Sequence, residues 1–218
     1  MANISSDLWA TPADRTDNSI RQFLAQDDTQ RPYRATRRLE ARNGERQGWL
    51  EATTGYAPKT GFRYQVTAEG GSGHIRSKVL RAVLEGEAEA IARGETGRSS
   101  LDRSNYLFQA DGVDDAGLAR VLLSPRRKER ILLAGRMFLR PEDGGLVRLE
   151  GRPAKSPSFW IKNVDIVRSY ERILGAVVPV SLESTAQVRL LGRATFRMTY
   201  TYVEVDGKPV GTQTRTRE

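Results

Sequence analysis

The sequence predicts an α+β fold, mainly antiparallel sheet with a long helix laid against it. Three observations carry that reading. Several segments alternate apolar and polar residues with a period of two, as half-buried strands do. Gly, Asn and Pro clusters punctuate these segments at hairpin spacing. One segment, from about His74 to Arg93, instead carries a helical apolar face.

The chain opens with a short helix expected from Asp17 to Gln26, capped by Thr16 or Asp17, with Ile20, Phe23 and Leu24 on one face. From Tyr33 to Asn43, Tyr33, Ala35, Arg37, Leu39 and Ala41 alternate with Arg34, Thr36, Arg38, Glu40 and Arg42, giving one apolar and one charged face. Asn43-Gly44 marks a hairpin turn. A strand over Gly48 to Tyr56 follows, and then Pro58-Lys59-Thr60-Gly61. The cleanest alternation comes next, with Phe62, Tyr64, Val66 and Ala68 opposite Arg63, Gln65, Thr67 and Glu69.

Gly70-Gly71-Ser72-Gly73 ends that strand and opens the long helix. Its residues Ile75, Val79, Leu80, Val83, Leu84 and Ile91 suit a helix lying on a sheet. After a polar loop, strands are expected over Tyr106 to Ala110, Leu118 to Leu123, Ile131 to Leu139, Leu146 to Glu150, Phe159 to Ile173, and Val177 to Val205. The last is either one bent strand or a hairpin turning near Leu191-Gly192. A single domain over 1–218 is expected, with flexible tails at 1–15 and 208–218.

Composition sets bounds on function. The 218 residues can bury a sizeable core, and no apolar run approaches the roughly 20 residues of a membrane helix. The absence of cysteine excludes disulfides, thiolate nucleophiles and Cys-based zinc sites. The net charge is +8, and 29 of the 35 basic residues are arginine. Arginine forks suit phosphates and carboxylates, while codon usage in a GC-rich genome gives the same skew. Met1 to Asp7 lacks the basic start and apolar stretch of a signal peptide. Either the protein is cytoplasmic, or the sequence begins after a cleavage site.

Catalytic chemistry finds little footing. His74, the one histidine, has Ser72 nearby, but it begins a helix, where packing or solvent exposure is commoner. Asp111, Asp114, Asp115, Glu142 and Asp143 sit among glycines as ordinary turn acids. Gly71-Ser72-Gly73 lacks the third glycine of a dinucleotide loop and the Gly-Lys-Ser/Thr of a Walker loop. No catalytic residue, metal ligand or cofactor is therefore expected. Two basic clusters, Arg31 to Arg46 and Arg126-Arg127-Lys128 with Arg130, would suit a polyanion, but the aromatic residues share the apolar parity of the strands rather than interleaving with them.

Several phrases resemble a family. Gly61-Phe62-Arg63-Tyr64-Gln65-Val66 leading to Glu69-Gly70-Gly71-Ser72-Gly73-His74-Ile75-Arg76 is similar to segments of uncharacterised bacterial envelope proteins. So are Lys155-Ser156-Pro157-Ser158-Phe159-Trp160, Val164-Asp165-Ile166-Val167-Arg168 and Val178-Pro179-Val180-Ser181-Leu182-Glu183-Ser184. Those proteins look like distant relatives of the outer-membrane lipoprotein-sorting (LolA-like) carriers. The resemblance spans about Ile20 to Gly207 and includes no catalytic signature.

It implies a curved, incomplete antiparallel β-barrel with helices covering its concave face and an apolar hollow for acyl chains. It also implies action in the periplasm or cell envelope, without covalent chemistry or cofactor. The carriers' functional arginine has no counterpart assigned here, so the expected ligand is an acyl chain, a lipid or a lipoprotein. Phe23, Leu24, Phe62, Tyr64, Val66, Met137, Trp160, Phe196, Met198 and Tyr200 are the expected lining, and Arg37 and Arg63 an expected rim for an anionic headgroup. The opposing reading is that these side chains pack on the helix and leave no cavity. An envelope protein is a further expected partner, nucleic acid is not, and a monomer is expected. The alternatives are a basic module for a polyanion and a sensor module for a protein partner.

Overall fold

The structure, a computed structural model, describes residues 12–26, 29–156, 161–189 and 192–211. After helix α1 (Pro12–Leu24) come strands β1 (Tyr33–Asn43), β2 (Arg46–Ala57) and β3 (Gly61–Gly71). The second helix, α2, is continuous in three parts: a first turn Gly73–Ile75, a π-helical stretch Arg76–Leu80 and a regular helix Arg81–Ala92. A 3₁₀ turn, Thr96–Ser99, leads to β4 (Tyr106–Val113), β5 (Ala119–Pro125), β6 (Leu133–Leu139) and β7 (Leu146–Pro153). The long strands β8 (Ile161–Ile173), β9 (Ala176–Val188) and β10 (Gly192–Val205) follow, and the short β11 (Lys208–Pro209) pairs with β10.

All strands join one antiparallel sheet in the order β3-β2-β1-β10-β9-β8-β7-β6-β5-β4. The order shows how it is built. Two meanders, β1 to β3 and β4 to β10, are joined by the long-range pairing of β1 with β10, which sets Arg37 opposite Tyr200 and Leu39 opposite Met198. The ends, β3 and β4, stay unpaired with each other, so the barrel is incomplete. This is the architecture that the sequence resemblance implied. The stretch from Val177 to Val205 is a hairpin, with Val188 opposite Gly192.

Alternation sorts the faces as expected. In β1, Ala35, Arg37, Leu39 and Ala41 are buried while Arg34, Thr36, Arg38 and Arg42 are exposed. The inner face carries two cores. One gathers Leu39, Leu50, Phe62, Met198 and Val205 under Ile75, Leu80 and Leu84 of α2. The other gathers Tyr106, Val121, Leu123, Met137, Leu139 and Leu149 with Ile20 of α1, and Phe23 and Leu24 pack against it.

The glycine cluster does what a strand-to-helix break requires. Gly71 has φ +78°, and a Cβ there would fall 2.4 Å from the carbonyl of Gln47. Only glycine lets the chain turn so close to β2. The amide of Ser72 then donates to that same carbonyl at 2.7 Å. The Ser72 side chain caps the helix by accepting from the amide of Ile75. Glu69, at the end of β3, receives Arg76 and Arg81 at 2.7 Å each and so pins the first turns of α2 to the sheet.

Candidate binding hollow

The two helices lie over different ends of the sheet. The main contacts of α2 are with β1, β2 and β3, and those of α1 are with β4, β5 and β6. The middle of the concave face, β8 to β10, is left between them. A hollow of about 800 Å³ opens there. Its floor is Arg168 from β8, Leu182 from β9, and Met198 and Tyr200 from β10. Val83, Glu87, Ala90 and Ile91 of α2 form one wall. Around the mouth stand the 3₁₀ turn with Arg98, the β5–β6 loop with Lys128, Arg130 and Ile131, and Lys155 beyond β7.

The mouth is held by a small polar network. Asn105, which is buried, donates from Nδ2 to the carbonyls of Gly97 and Ser100 at 2.9 Å each. Its Oδ1 accepts from Arg127 at 2.7 Å. One side chain thus ties the 3₁₀ turn to the β5–β6 loop. Glu129 closes the circuit by accepting from Arg127 at 2.9 Å and Arg98 at 3.2 Å. The Arg127 bond first, and then the charges of Arg127 and Arg98, hold the Glu129 carboxyl below its ordinary range.

Beside the floor, Arg37 points inward from β1 and is almost wholly buried. Its guanidinium donates to both carboxylate oxygens of Glu87, at 2.5 and 2.9 Å, and to the hydroxyl of Tyr33 at 2.5 Å. It also lies 4.6 Å from the centre of the Tyr200 ring and 4.9 Å from that of Phe62. Burial opposes the charge, but the bonds to Glu87 and the nearby groups outweigh it and leave the pKa above an arginine's ordinary value. Burial likewise pushes the phenols of Tyr33 and Tyr202 up. Arg168 is different. The phenol of Tyr170 and, more weakly, the phenol of Tyr200 and the carboxylate of Glu87 favour its charge against burial. Its Nε is buried with no hydrogen-bond partner among the described residues.

The expected lining separates into groups. Met198 and Tyr200 border the hollow and are also buried members of the core under α2. Phe62, Tyr64 and Val66 pack in or against the same core and do not border the hollow. Phe23, Leu24 and Met137 lie in the core beneath α1, at the other end of the sheet. Phe196 borders a second depression, of about 660 Å³, with Glu40, Arg42, Trp49, Glu183 and Arg193. That depression lies at the far end of β1, β2, β9 and β10, where Arg38 pairs with Glu40 and Arg197 with Glu183. Its mostly polar border is a poorer seat for a chain than the floor over β8 to β10. Trp160 lies outside the described residues.

Neither expected rim arginine stands at the rim. Arg37 is inside, saturated by Glu87, because β1 turns its odd positions inward under α2. Arg63 is exposed on the outer face of β3, opposite in parity to buried Phe62. Arg168 and Leu182 went unassigned, although their parity was informative. Arg168 alternates in step with Ile166 and Tyr170, against exposed Asp165 and Val167. A cation on the inward side of a strand is the signal that marks it.

His74 is exposed, and the nearby Ser72 is occupied in capping. Among the described residues no group of three or more His, Asp or Glu is placed to hold a metal ion. None of their helices is long and apolar enough to cross a membrane. Much of the first basic cluster is neutralised: Arg34 by Glu204, Arg37 by Glu87, and Arg38 by Glu40 and Glu51.

No family model and no curated protein matches the chain. Two solved structures are similar to it over most of its length. One is a DUF1329 family protein from Desulfovibrio piger, at 9% identity and a TM-score of 0.41. The other is a LolA superfamily protein from Nitrosomonas europaea, at 8% identity and a TM-score of 0.43. Each alignment covers 88% of this chain and 92% of the other.

Proposed function

We propose that this protein is a non-enzymatic binding protein of the cell envelope that holds an acyl chain, of a lipid or a lipoprotein, in the hollow over β8 to β10. The observation that carries the reading is the uncovered middle of the concave face. Two helices cover the ends of the inner face and leave an open space of about 800 Å³ between them, within the roughly 300–1,000 Å³ range of small-molecule sites. Leu182, Met198 and Tyr200 give it an apolar floor, and Val83 and Ile91 an apolar wall. Burying a chain there is favourable at about 0.8 kcal/mol per methylene. Methionine suits the purpose because its unbranched thioether adapts to varied partners. The sequence resemblance to lipoprotein-sorting carriers supports the same reading, and with it transport outside the cytoplasm.

The test is native mass spectrometry of protein purified from cells, then organic extraction and titration with a fluorescent fatty acid. A co-purifying acyl species, or saturable probe binding displaced by detergent, is the expected result. No extracted lipid together with no probe binding would end the reading. The polyanion alternative rested on the Arg31 to Arg46 cluster, much of which is spent on neighbouring carboxylates.

A further inference from the structure

We infer that the hollow selects an amphiphile with an anionic headgroup, seated at the mouth by Lys128, Arg130 and Lys155, with Arg168 as the cation of the floor. The inference rests on the chain-binding reading above and adds the class of headgroup.

The argument is one of charge matching within a single lining. Three acids face the hollow, and each is engaged by arginine. Glu87 is bonded by Arg37 through both oxygens. Glu129 is bonded by Arg127 and Arg98, and Glu95 lies 3.8 Å from Arg98 and 3.9 Å from Arg93. Lys128, Arg130, Lys155 and Arg168 also border the hollow, and among the described residues none of them has an acid within ion-pair distance. The positive excess is therefore concentrated where a ligand would sit. Among the described residues the buried Nε of Arg168 has no hydrogen-bond partner, and a buried donor left unmet costs free energy.

The geometry separates the two ends of a ligand. Leu182, Met198 and Tyr200 lie deep, on the sheet. Lys128, Arg130 and Lys155 are exposed, on the loops around the opening. An acyl chain on the floor would place its headgroup among these three cations, where charge-assisted bonds form to a carboxylate or a phosphate. Lysine and arginine stems reach such a position with their methylenes along the chain and their charges in water.

The experiment is calorimetric titration of the full chain with three probes: oleate below its micelle concentration, oleyl alcohol below its solubility limit, and butyrate. Oleate is expected to bind about tenfold or more tighter than oleyl alcohol, the scale of one charged hydrogen bond. Butyrate is expected to bind far more weakly than either. In the variant carrying Lys128→Gln, Arg130→Gln and Lys155→Gln, the preference for oleate is expected to fall to about twofold while the alcohol binds as before. These side chains are exposed, so the variant folds, as a circular dichroism melt will verify. Equal binding of oleate and alcohol would overturn the inference and leave the chain-binding reading intact. A preference unchanged in the triple variant would also overturn it. Tight butyrate binding would mean an anion site without chain recognition, against both. No binding of either oleyl probe would sink the chain-binding reading itself.

Discussion

Arg37 sits on an inward position of β1 with 1% of its surface exposed, and it stays charged there because Glu87 meets it with two oxygens. Removing one partner of such a pair leaves an uncompensated buried charge. Glu87→Ala is therefore expected to cost about 3 kcal/mol, read as a shift in the urea midpoint. Arg37→Met combined with Glu87→Gln is expected to cost less than Glu87→Ala alone, because it removes the charge with its partner. A second prediction at this scale concerns Gly135 and Gly151, which face each other across β6 and β7. A Cβ on Gly135 would lie 1.9 Å from the carbonyl oxygen of Glu150, and one on Gly151 would lie 2.3 Å from that of Ala134. Gly135→Ala must push the two strands apart, at a cost of about 2–3 kcal/mol measured by thermal unfolding.

Among the elements, the β5–β6 loop and the 3₁₀ turn matter most, since they frame the mouth. Asn105→Ala removes the donors to Gly97 and Ser100 and the acceptor for Arg127. The expected loss is about 2 kcal/mol, with faster amide hydrogen exchange over 97–105 and 126–131 than over β8 to β10. Glu129 makes the same frame sensitive to acid. Its carboxyl is held below its ordinary 4.5 in the folded protein, chiefly by the bond from Arg127. A depressed pKa contributes stability that is fully present above the unfolded value and is lost as pH falls through the folded one. Protection over 126–131, taken relative to the intrinsic exchange rate at each pH, is thus expected to be flat from neutral pH to about 5 and to fall below it. Glu129→Gln is expected to remove that fall. A loop whose protection ignores acid would refute the role given to Glu129.

At the scale of the whole molecule, the hollow exists because one sheet is broader than its two helices can cover. Filling it should weaken binding without unfolding the chain. Leu182 packs at the edge of the α2-side core and borders the hollow between Arg168 and Met198, so Leu182→Trp extends a large ring into that space. The fluorescent fatty acid is expected to bind about tenfold more weakly, with the unfolding midpoint little changed. Loss of probe binding together with loss of fold would instead place Leu182 in the core.

The sequence by itself determined the fold class and the faces of the elements. A period of two in Tyr33 to Asn43 and in Phe62 to Glu69 is a local property, and so is the glycine break at Gly70 to Gly73. The helix caps and hairpins can be read from a few neighbouring residues for the same reason. Tertiary structure decided what each inward side chain meets. Arg37 had the inward parity of its strand, but its partner Glu87 lies fifty residues away on a helix. Met137 and Met198 had equal claims to a ligand; the placement of α1 and the pairing of β1 with β10 put Met137 in the core by α1 and Met198 in the core under α2, where only Met198 also borders the hollow. Parity tells which way a side chain points; whether it finds a helix, a carboxylate or open space depends on contacts between segments far apart in the chain, and no local pattern records them.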